Sequence, residues 1–268
     1  MTMTAFSTIT EAPGVGASAE QLSMLSTRYD LAARYAQGKS VLEVACGTGI
    51  GLGFLSRTAA RVVGGDIDPN NLIQAQAHYR GRQRVEVRHL DALQLPFDAG
   101  SFDTVLLYEA LYYLSSFPQF LAEARQVLHP TGTLIICSVN CRWHGFNRSP
   151  FSTRYYGCDE LRDELRAAGY TVDMFGGFPD TALTTGRKFK GLVRRAAARS
   201  GLIPRTMKGK EFLKRVFYGK LTKLPSEMNE DLAPIAPLAP LAEGTDADLF
   251  KVLYAVATPA AQTARRAA

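Results

Sequence analysis

Short apolar runs alternate with amphipathic segments along most of the chain. Residues 19–37 place leucine, tyrosine and alanine side chains at helical spacing, and Gly38 follows as a stop signal. Strands are predicted at the apolar runs 40–45, 61–67, 84–90, 101–111 and 133–139. Helices are predicted between them at 50–59, 69–80 and 117–128, and a turn at 129–132. This alternation is typical of a parallel sheet covered by helices.

The alternation changes after residue 139. A helix is predicted over 159–169, and strands over 170–176 and 249–258. The pattern as a whole predicts an α/β fold with a doubly wound, mainly parallel seven-stranded sheet, helices on both faces and an N-terminal helix. Residues 180–245 lack strand signals, so we expect a helical basic insertion before the last strand. Its helices are predicted near 186–200 and 208–222, ahead of a Pro-rich loop.

Composition divides the chain into five units. They are a disordered N-terminal arm over 1–18, an α/β core over 19–179, the insertion over 180–245, the last core strand over 246–258 and a flexible tail over 259–268. The arm is predicted to be disordered because it is rich in Thr, Ser, Gly and Ala.

Composition also excludes several classes of protein. No apolar run approaches the roughly 20 residues of a membrane span, and the N-terminus lacks the basic region and apolar core of a secretory signal. The four cysteines form no CxxC pair, and no histidine lies at zinc-ligand spacing from them. We therefore expect reduced thiols, no metal site and a cytoplasmic location.

The net charge of +6 is concentrated in one segment. Residues 187–223 contain thirteen lysines or arginines and a single acidic residue, Glu211. Three interpretations of the insertion stay open. It is a lid over an acceptor site with a solvated basic face, or it recognises an anionic acceptor such as a phosphorylated or carrier-bound metabolite. Alternatively, it lies on an anionic membrane surface through 208–222 or binds nucleic acid.

Acidic residues end the first two predicted strands and follow the third. Glu43 precedes a loop with glycines at 47 and 49, where it would repel a pyrophosphate but accept a bond from an amino group. Asp66 can bind ribose hydroxyls, and Asp91 can bind the exocyclic amine of adenine. An amino acid, a ribose and an adenine in that order indicate S-adenosylmethionine. Asp68 is the alternative ribose ligand, but its place before Pro69 suits a helix cap.

Longer motifs carry a family resemblance over residues 41–138. The segments are VLEVACGTG, VVGGDIDPN, LDALQLPFDAGSFDTVLLYEALYYL and VLHPTGTLIICS. In these segments the chain resembles class I S-adenosylmethionine-dependent methyltransferases of the small-molecule type. The resemblance implies a cofactor site formed by Tyr29, Glu43, Ala45, Gly47, Gly49, Asp66, Ile67, Asp91, Ala92 and Tyr108. Ala45 stands where the family usually has glycine, and Tyr29 is expected to cap the methionine end or to pack in the core.

Candidate catalytic residues follow the fourth and fifth strands. Glu109 and His144 are candidate bases for an acceptor that must lose a proton, and Tyr108 is expected to line the active site. The Asp/Asn-Pro-Pro-aromatic motif of amino-methylating nucleic-acid enzymes is absent, since residues 107–114 read LYEALYYL. Nucleic acid is therefore not the favoured acceptor.

The resemblance implies in-line methyl transfer from S-adenosylmethionine to a small metabolite of biosynthetic or secondary metabolism, and the basic segment favours an anionic one. One alternative keeps the cofactor but cyclises it, as in azetidine-2-carboxylate formation, and releases methylthioadenosine. A second alternative is a non-catalytic binding protein. The intact set of Glu43, the loop glycines, Asp66 and Asp91 argues against the second alternative.

Overall fold

The computed structural model describes residues 6–8, 10–180 and 221–260. The strands are β1 Gly16–Ala17, β2 Ser40–Val44, β3 Arg61–Asp66, β4 Val85–His89, β5 Phe102–Tyr108, β6 Leu128–Val139, β7 Tyr170–Pro179, β8 Thr222–Lys223, β9 Ala239–Pro240 and β10 Phe250–Pro259. The α-helices are α1 Ala19–Ala36, α2 Leu52–Leu55, α3 Pro69–His78, α4 Phe117–Val127 and α5 Cys158–Ala167. Short 3-10 turns span Phe6–Thr8 and Leu111–Tyr113.

The main sheet has the strand order β4-β3-β2-β5-β6-β10-β7-β9. Neighbours among the five strands β4, β3, β2, β5 and β6 pair in parallel. Strand β10 runs antiparallel between β6 and β7. The predicted architecture is confirmed, with the two-residue β9 as an additional edge strand. The chain order reverses at β2, which lies between β3 and β5. Ligands of doubly wound sheets bind at such a reversal, at the carboxyl ends of the strands.

Alternating side chains of the central strands build a core on each face of the sheet. On β2, Val41 belongs to one hydrophobic cluster and Leu42 to the other. Helix α1 covers the first cluster with Leu25 and Tyr29, and α4 covers the second with Phe120. Ser18 begins α1 with a capping box, which fixes the helix start beside the sheet.

Two predicted element boundaries differ from the structure. The predicted helix over 50–59 is α-helical only at α2, because the chain continues through tighter turns such as Arg57 N–H to the carbonyl of Phe54. Strand β6 begins at Leu128, and the predicted turn at 129–132 is a bulge within it. Phe102 pairs with Leu128, whereas Thr104 pairs with Thr133.

The N-terminal arm is a correction to the prediction of disorder over 1–18. In its described part, the Gly14 N–H donates to the carbonyl of Leu224 at 2.8 Å, and β1 pairs with β8. These partners lie more than 200 positions away in the sequence, and local composition does not reveal them. The predicted basic helix near 186–200, and that near 208–222 up to residue 220, lie outside the described residues.

Within the described ranges, every helix is too short or too polar to traverse a bilayer.

Asn140 joins the end of β6 to the last strand. Its fully buried side chain donates to the carbonyls of Ala247 at 2.8 Å and Phe250 at 3.0 Å, and it accepts from the Arg142 N–H at 3.0 Å. The side chain therefore fixes where the loop after β6 leaves the sheet.

We predict that Asn140→Ala lowers the free energy of unfolding by about 2–4 kcal/mol, because buried backbone groups lose their partners. Asn147→Ala is the matched control, since Asn147 is exposed and makes one bond to Gly145. Urea denaturation measures both changes. Equal effects of the two substitutions would refute the anchoring role of Asn140.

Candidate active site

The candidate site lies where β2, β3 and β5 end. Val44 pairs with Gly65 on one side and with Leu107 on the other. The residues that follow these positions therefore emerge at one edge of the sheet. Glu43, Asp66 and Glu109 lie at or directly after the ends of these strands.

Glu43 is a buried carboxylate with one unused oxygen. The Tyr29 hydroxyl donates to Oε1 at 2.5 Å, whereas Oε2 has no hydrogen-bond partner among the described residues. Burial raises the pKa of Glu43 to about 7, although the Tyr29 bond and the charge of Arg28 act in the opposite direction. An ammonium group would supply the missing partner and favour the ionised form.

The loop after β2 has an unusual backbone. Ala45, Gly47 and Gly49 all adopt positive φ, at 57°, 59° and 78°. This region suits glycine, so Ala45 holds strain on the order of 1 kcal/mol. A methyl group added at Gly47 would lie 2.7 Å from Cγ2 of Thr10, so a side chain is excluded there. Gly47 is therefore required both by its backbone conformation and by the close packing of Thr10.

Asp66 ties the ends of β2 and β3 together. Its carboxylate accepts from the backbone N–H groups of Gly47 and Asp68, both at 2.8 Å. Burial raises the pKa of Asp66, and these two bonds reduce the effect. Oδ1 also accepts from Nδ2 of Asn71 at 3.4 Å, whereas Oδ2 keeps a lone pair that can accept from a hydroxyl donor.

Asp68 caps helix α3 through the Asn70 N–H at 2.9 Å. Helix capping was the predicted alternative to ribose binding for Asp68, and the cap is confirmed.

The next strand brings the predicted adenine residues to the same edge. The Leu90 N–H donates to the carbonyl of Asp66 at 3.0 Å, which places Asp91 and Ala92 beside Ile67. Ile67 is 42% exposed, and Asp91 is also exposed. An exposed apolar side chain next to an exposed carboxylate can hold a flat ring and its amine.

Glu109 follows β5 with a positive φ of 51°. Its Oε2 accepts from the Tyr112 hydroxyl at 2.9 Å, and its Oε1 lies 3.7 Å from the Cys137 thiol. Burial raises the pKa of Glu109, while Arg28 and the Tyr112 bond act against this rise. A carboxylate with a raised pKa, held in a strained backbone, suits proton abstraction.

Two predicted catalytic residues have other contacts. The Tyr108 hydroxyl donates to the carbonyl of Arg28 at 3.0 Å, so it fixes α1 rather than facing a substrate. His144 is 58% exposed, and its Nε2 lies 3.3 Å from Oδ2 of Asp180, just beyond β7. The imidazole of His144 therefore faces a carboxylate outside the set of Glu43, Asp66 and Glu109.

Arg28 is a site residue that the sequence analysis missed. It is 7% exposed and forms an ion pair with Glu11 of the arm. The signal was present in the sequence: Arg28 stands three residues after Leu25 and four before Ala32, on the buried stripe of α1. A cation at such a position points to a charged partner in the interior.

Comparison with known proteins identifies the domain that contains this site. Residues 42–136 match the model of a methyltransferase domain family. A probable S-adenosylmethionine-dependent methyltransferase of Mycolicibacterium smegmatis is 32% identical over 160 residues, 58% of this chain and 61% of the relative. Over these residues the chain is similar to S-adenosylmethionine-dependent methyltransferases. S-adenosylmethionine is the cofactor that this similarity implies.

Two further proteins show how far the similarity extends. A phthiotriol/phenolphthiotriol dimycocerosates methyltransferase of Mycobacterium leprae is 40% identical over 99 residues, 36% of each chain. The chain thus spans less than two thirds of the curated relatives that it matches. The crystal structure of the [4+2]-cyclase SpnF aligns with a TM-score of 0.57 at 21% identity, covering 88% of this chain and 82% of that one. That likeness shows a shared fold.

The methyltransferase domain fits its cofactor at observed positions. The unpartnered Oε2 of Glu43 suits the amino group of the methionine part, and the positive-φ backbone at Gly47 and Gly49 turns the loop beside this carboxylate. Asp66 remains able to accept from ribose hydroxyls, as argued above. We expect these residues to hold the cofactor.

We predict that the affinity for S-adenosylmethionine falls about fivefold between pH 7 and pH 6, because Glu43 becomes protonated through its pKa of about 7 and no longer attracts the ammonium group. Glu43→Gln should lower the affinity at pH 7 and flatten this dependence. Calorimetric titration of both proteins at pH 7 and pH 6 measures these affinities. Glu230→Gln, which changes only a surface ion pair with Arg57, is the control. An unchanged pH dependence in Glu43→Gln would contradict the role of Glu43.

Proposed function

We propose that the protein transfers a methyl group from S-adenosylmethionine to a small biosynthetic metabolite that loses a proton on methylation. The observation that carries this proposal is the buried carboxylate of Glu109, which follows β5 beside the loop of Glu43. The cofactor supplies a methyl group that is already activated on a sulfonium. The protein must then align the acceptor in line, exclude water and remove the acceptor proton.

Aromatic side chains cluster around Tyr112, the hydrogen-bond partner of Glu109, and support an acceptor with an apolar body. The Tyr112 ring stacks on Tyr155 with centroids 4.5 Å apart, and Phe146 meets Tyr155 edge-on at 4.6 Å. The ring centroids of Tyr113 and Tyr112 are also 4.6 Å apart. A hydroxyl carried on an apolar or aromatic body suits both this wall and the base.

Two further features support an acceptor that carries a hydroxyl and an anionic group. The M. leprae relative is named for methylation of a phthiotriol, an alcohol, which agrees with a hydroxyl acceptor. The basic segment 187–223 supports an anionic group elsewhere on the acceptor, such as a phosphate or a carrier. The four cysteines are free thiols, which supports a reducing setting such as the cytoplasm.

The test is mass spectrometry of the full chain incubated with S-adenosylmethionine, first alone and then with a panel of hydroxylated metabolites, neutral and anionic. We expect an intact cofactor without acceptor. With an acceptor we expect S-adenosylhomocysteine and a product heavier by one methylene. Methylthioadenosine in the acceptor-free sample would overturn methyl transfer in favour of cyclisation of the cofactor.

We predict that Glu109→Gln lowers kcat with the acceptor found in this way by roughly a hundredfold to ten-thousandfold, because the general base is lost. The affinity for S-adenosylmethionine should stay within about twofold of the wild-type value. Glu86→Gln, at a surface ion pair on β4, is the control and should leave kcat unchanged. A kcat of Glu109→Gln close to that of the wild type would exclude Glu109 as the base.

A further inference from the structure

Both carboxylate oxygens of Glu109 accept from side chains on two different elements. The Tyr112 hydroxyl, on the short turn after β5, donates to Oε2 at 2.9 Å. The Cys137 thiol, on β6, donates to Oε1 at 3.7 Å. The backbone N–H of Glu109 also donates to the carbonyl of Cys137 at 2.8 Å. Glu109 is thus held at three atoms, two of them by one residue of the neighbouring strand.

The two donors keep their hydrogens next to this carboxylate. Burial raises the pKa of the Tyr112 phenol and of the Cys137 thiol, and the negative charge of Glu109 raises both further. A protonated phenol and a protonated thiol can each donate to an ionised carboxylate. Such bonds favour the ionised form, so they counteract the rise in the pKa of Glu109 that burial causes.

Other charged and titratable groups also face Glu109. They are Arg28 on α1, Glu11 on the arm, Tyr113 on the turn and Tyr254 on β10. The positive charge of Arg28 lowers the pKa of Glu109, and the negative charge of Glu11 raises it. Tyr112 and Cys137 act by direct hydrogen bonds, which also fix the orientation of the carboxylate.

Tyr112 is itself fixed by the loop after β6. Its carbonyl accepts from the Thr153 N–H at 2.7 Å, and its buried ring stacks on Tyr155. The Tyr155 hydroxyl in turn accepts from the Ser149 N–H at 2.9 Å. The aromatic wall therefore sets the position of the hydroxyl that contacts Glu109.

We propose that Tyr112 and Cys137 are positioning residues for Glu109, and that their two hydrogen bonds hold its carboxylate in one orientation. Each carboxylate oxygen keeps a further lone pair for a proton. The positive φ of Glu109 is unfavourable for a side chain, and contacts at both oxygens help to hold it. This inference rests on the proposed function, in which Glu109 removes the proton of the acceptor.

The test follows the side-chain carboxyl carbon of Glu109 by NMR against pH, in the full chain and without acceptor. Carbon-13 glutamate labels the protein, and the Glu109 signal is the one that Glu109→Gln removes. We expect Tyr112→Phe to raise the pKa of Glu109 by about one pH unit, because a hydrogen bond to the charged form is lost. Tyr170→Phe is the matched control, since its buried hydroxyl donates to the carbonyl of Leu121 on α4.

Two substitutions at Cys137 separate its donor from its packing. Cys137→Ala removes the donor, whereas Cys137→Ser supplies a hydroxyl in its place. We expect the pKa of Glu109 to rise in Cys137→Ala and to stay closer to the wild-type value in Cys137→Ser. If Tyr112→Phe fails to fold, this pair still decides whether donors hold the carboxylate.

The outcomes separate this inference from the proposed function. An unchanged pKa of Glu109 in Tyr112→Phe, or equal values in the two Cys137 variants, overturns the role of that residue. With an acceptor, the acid limb of kcat/KM against pH should move in Tyr112→Phe by the same amount as the NMR midpoint, which a loss of packing alone would not produce. If Glu109→Gln keeps the wild-type kcat, the use of Glu109 as the base falls, whereas the hydrogen bonds seen by NMR stand.

Discussion

The hydrogen bond between the Tyr29 hydroxyl and the buried carboxylate of Glu43 links the fold to the site. It joins α1 to the end of β2, and the glycine loop begins two residues later. Burial and this bond fix the Glu43 carboxylate in one position, while its second oxygen stays unpaired among the described residues. The leading helix therefore acts as part of the site as well as a cover for one face of the sheet.

Two strained backbone positions flank this bond. Ala45 and Glu109 both adopt positive φ directly after the paired strands β2 and β5. Such strain persists only where the surrounding structure holds it, and it is common at functional sites. At Ala45 it turns the loop away from the strand, and at Glu109 it turns a carboxylate back beside Arg28 and Tyr112. The parallel pairing of two neighbouring strands thus places the proposed cofactor and base positions side by side.

The sequence predicted the elements of this domain better than the contacts between them. Apolar periodicity located the strands, and the motifs located Glu43 and Asp66, because both signals are local. The ordered arm was missed because the bond from Ser7 to Asp68 spans 61 positions and follows no periodicity. His144 was a candidate base because it follows a strand end, whereas its contact with Asp180 beyond β7 leaves no local signal in the sequence.

The central claim is that the cofactor amino group binds the ionised carboxylate of Glu43. The most direct measurement is the proton exchange on titration with S-adenosylmethionine at pH 6.5, in two buffers that differ in ionisation enthalpy. With a pKa of about 7, Glu43 should release about three quarters of a proton on binding, and Glu43→Gln should abolish this release. Binding without proton release in the wild type would contradict the account.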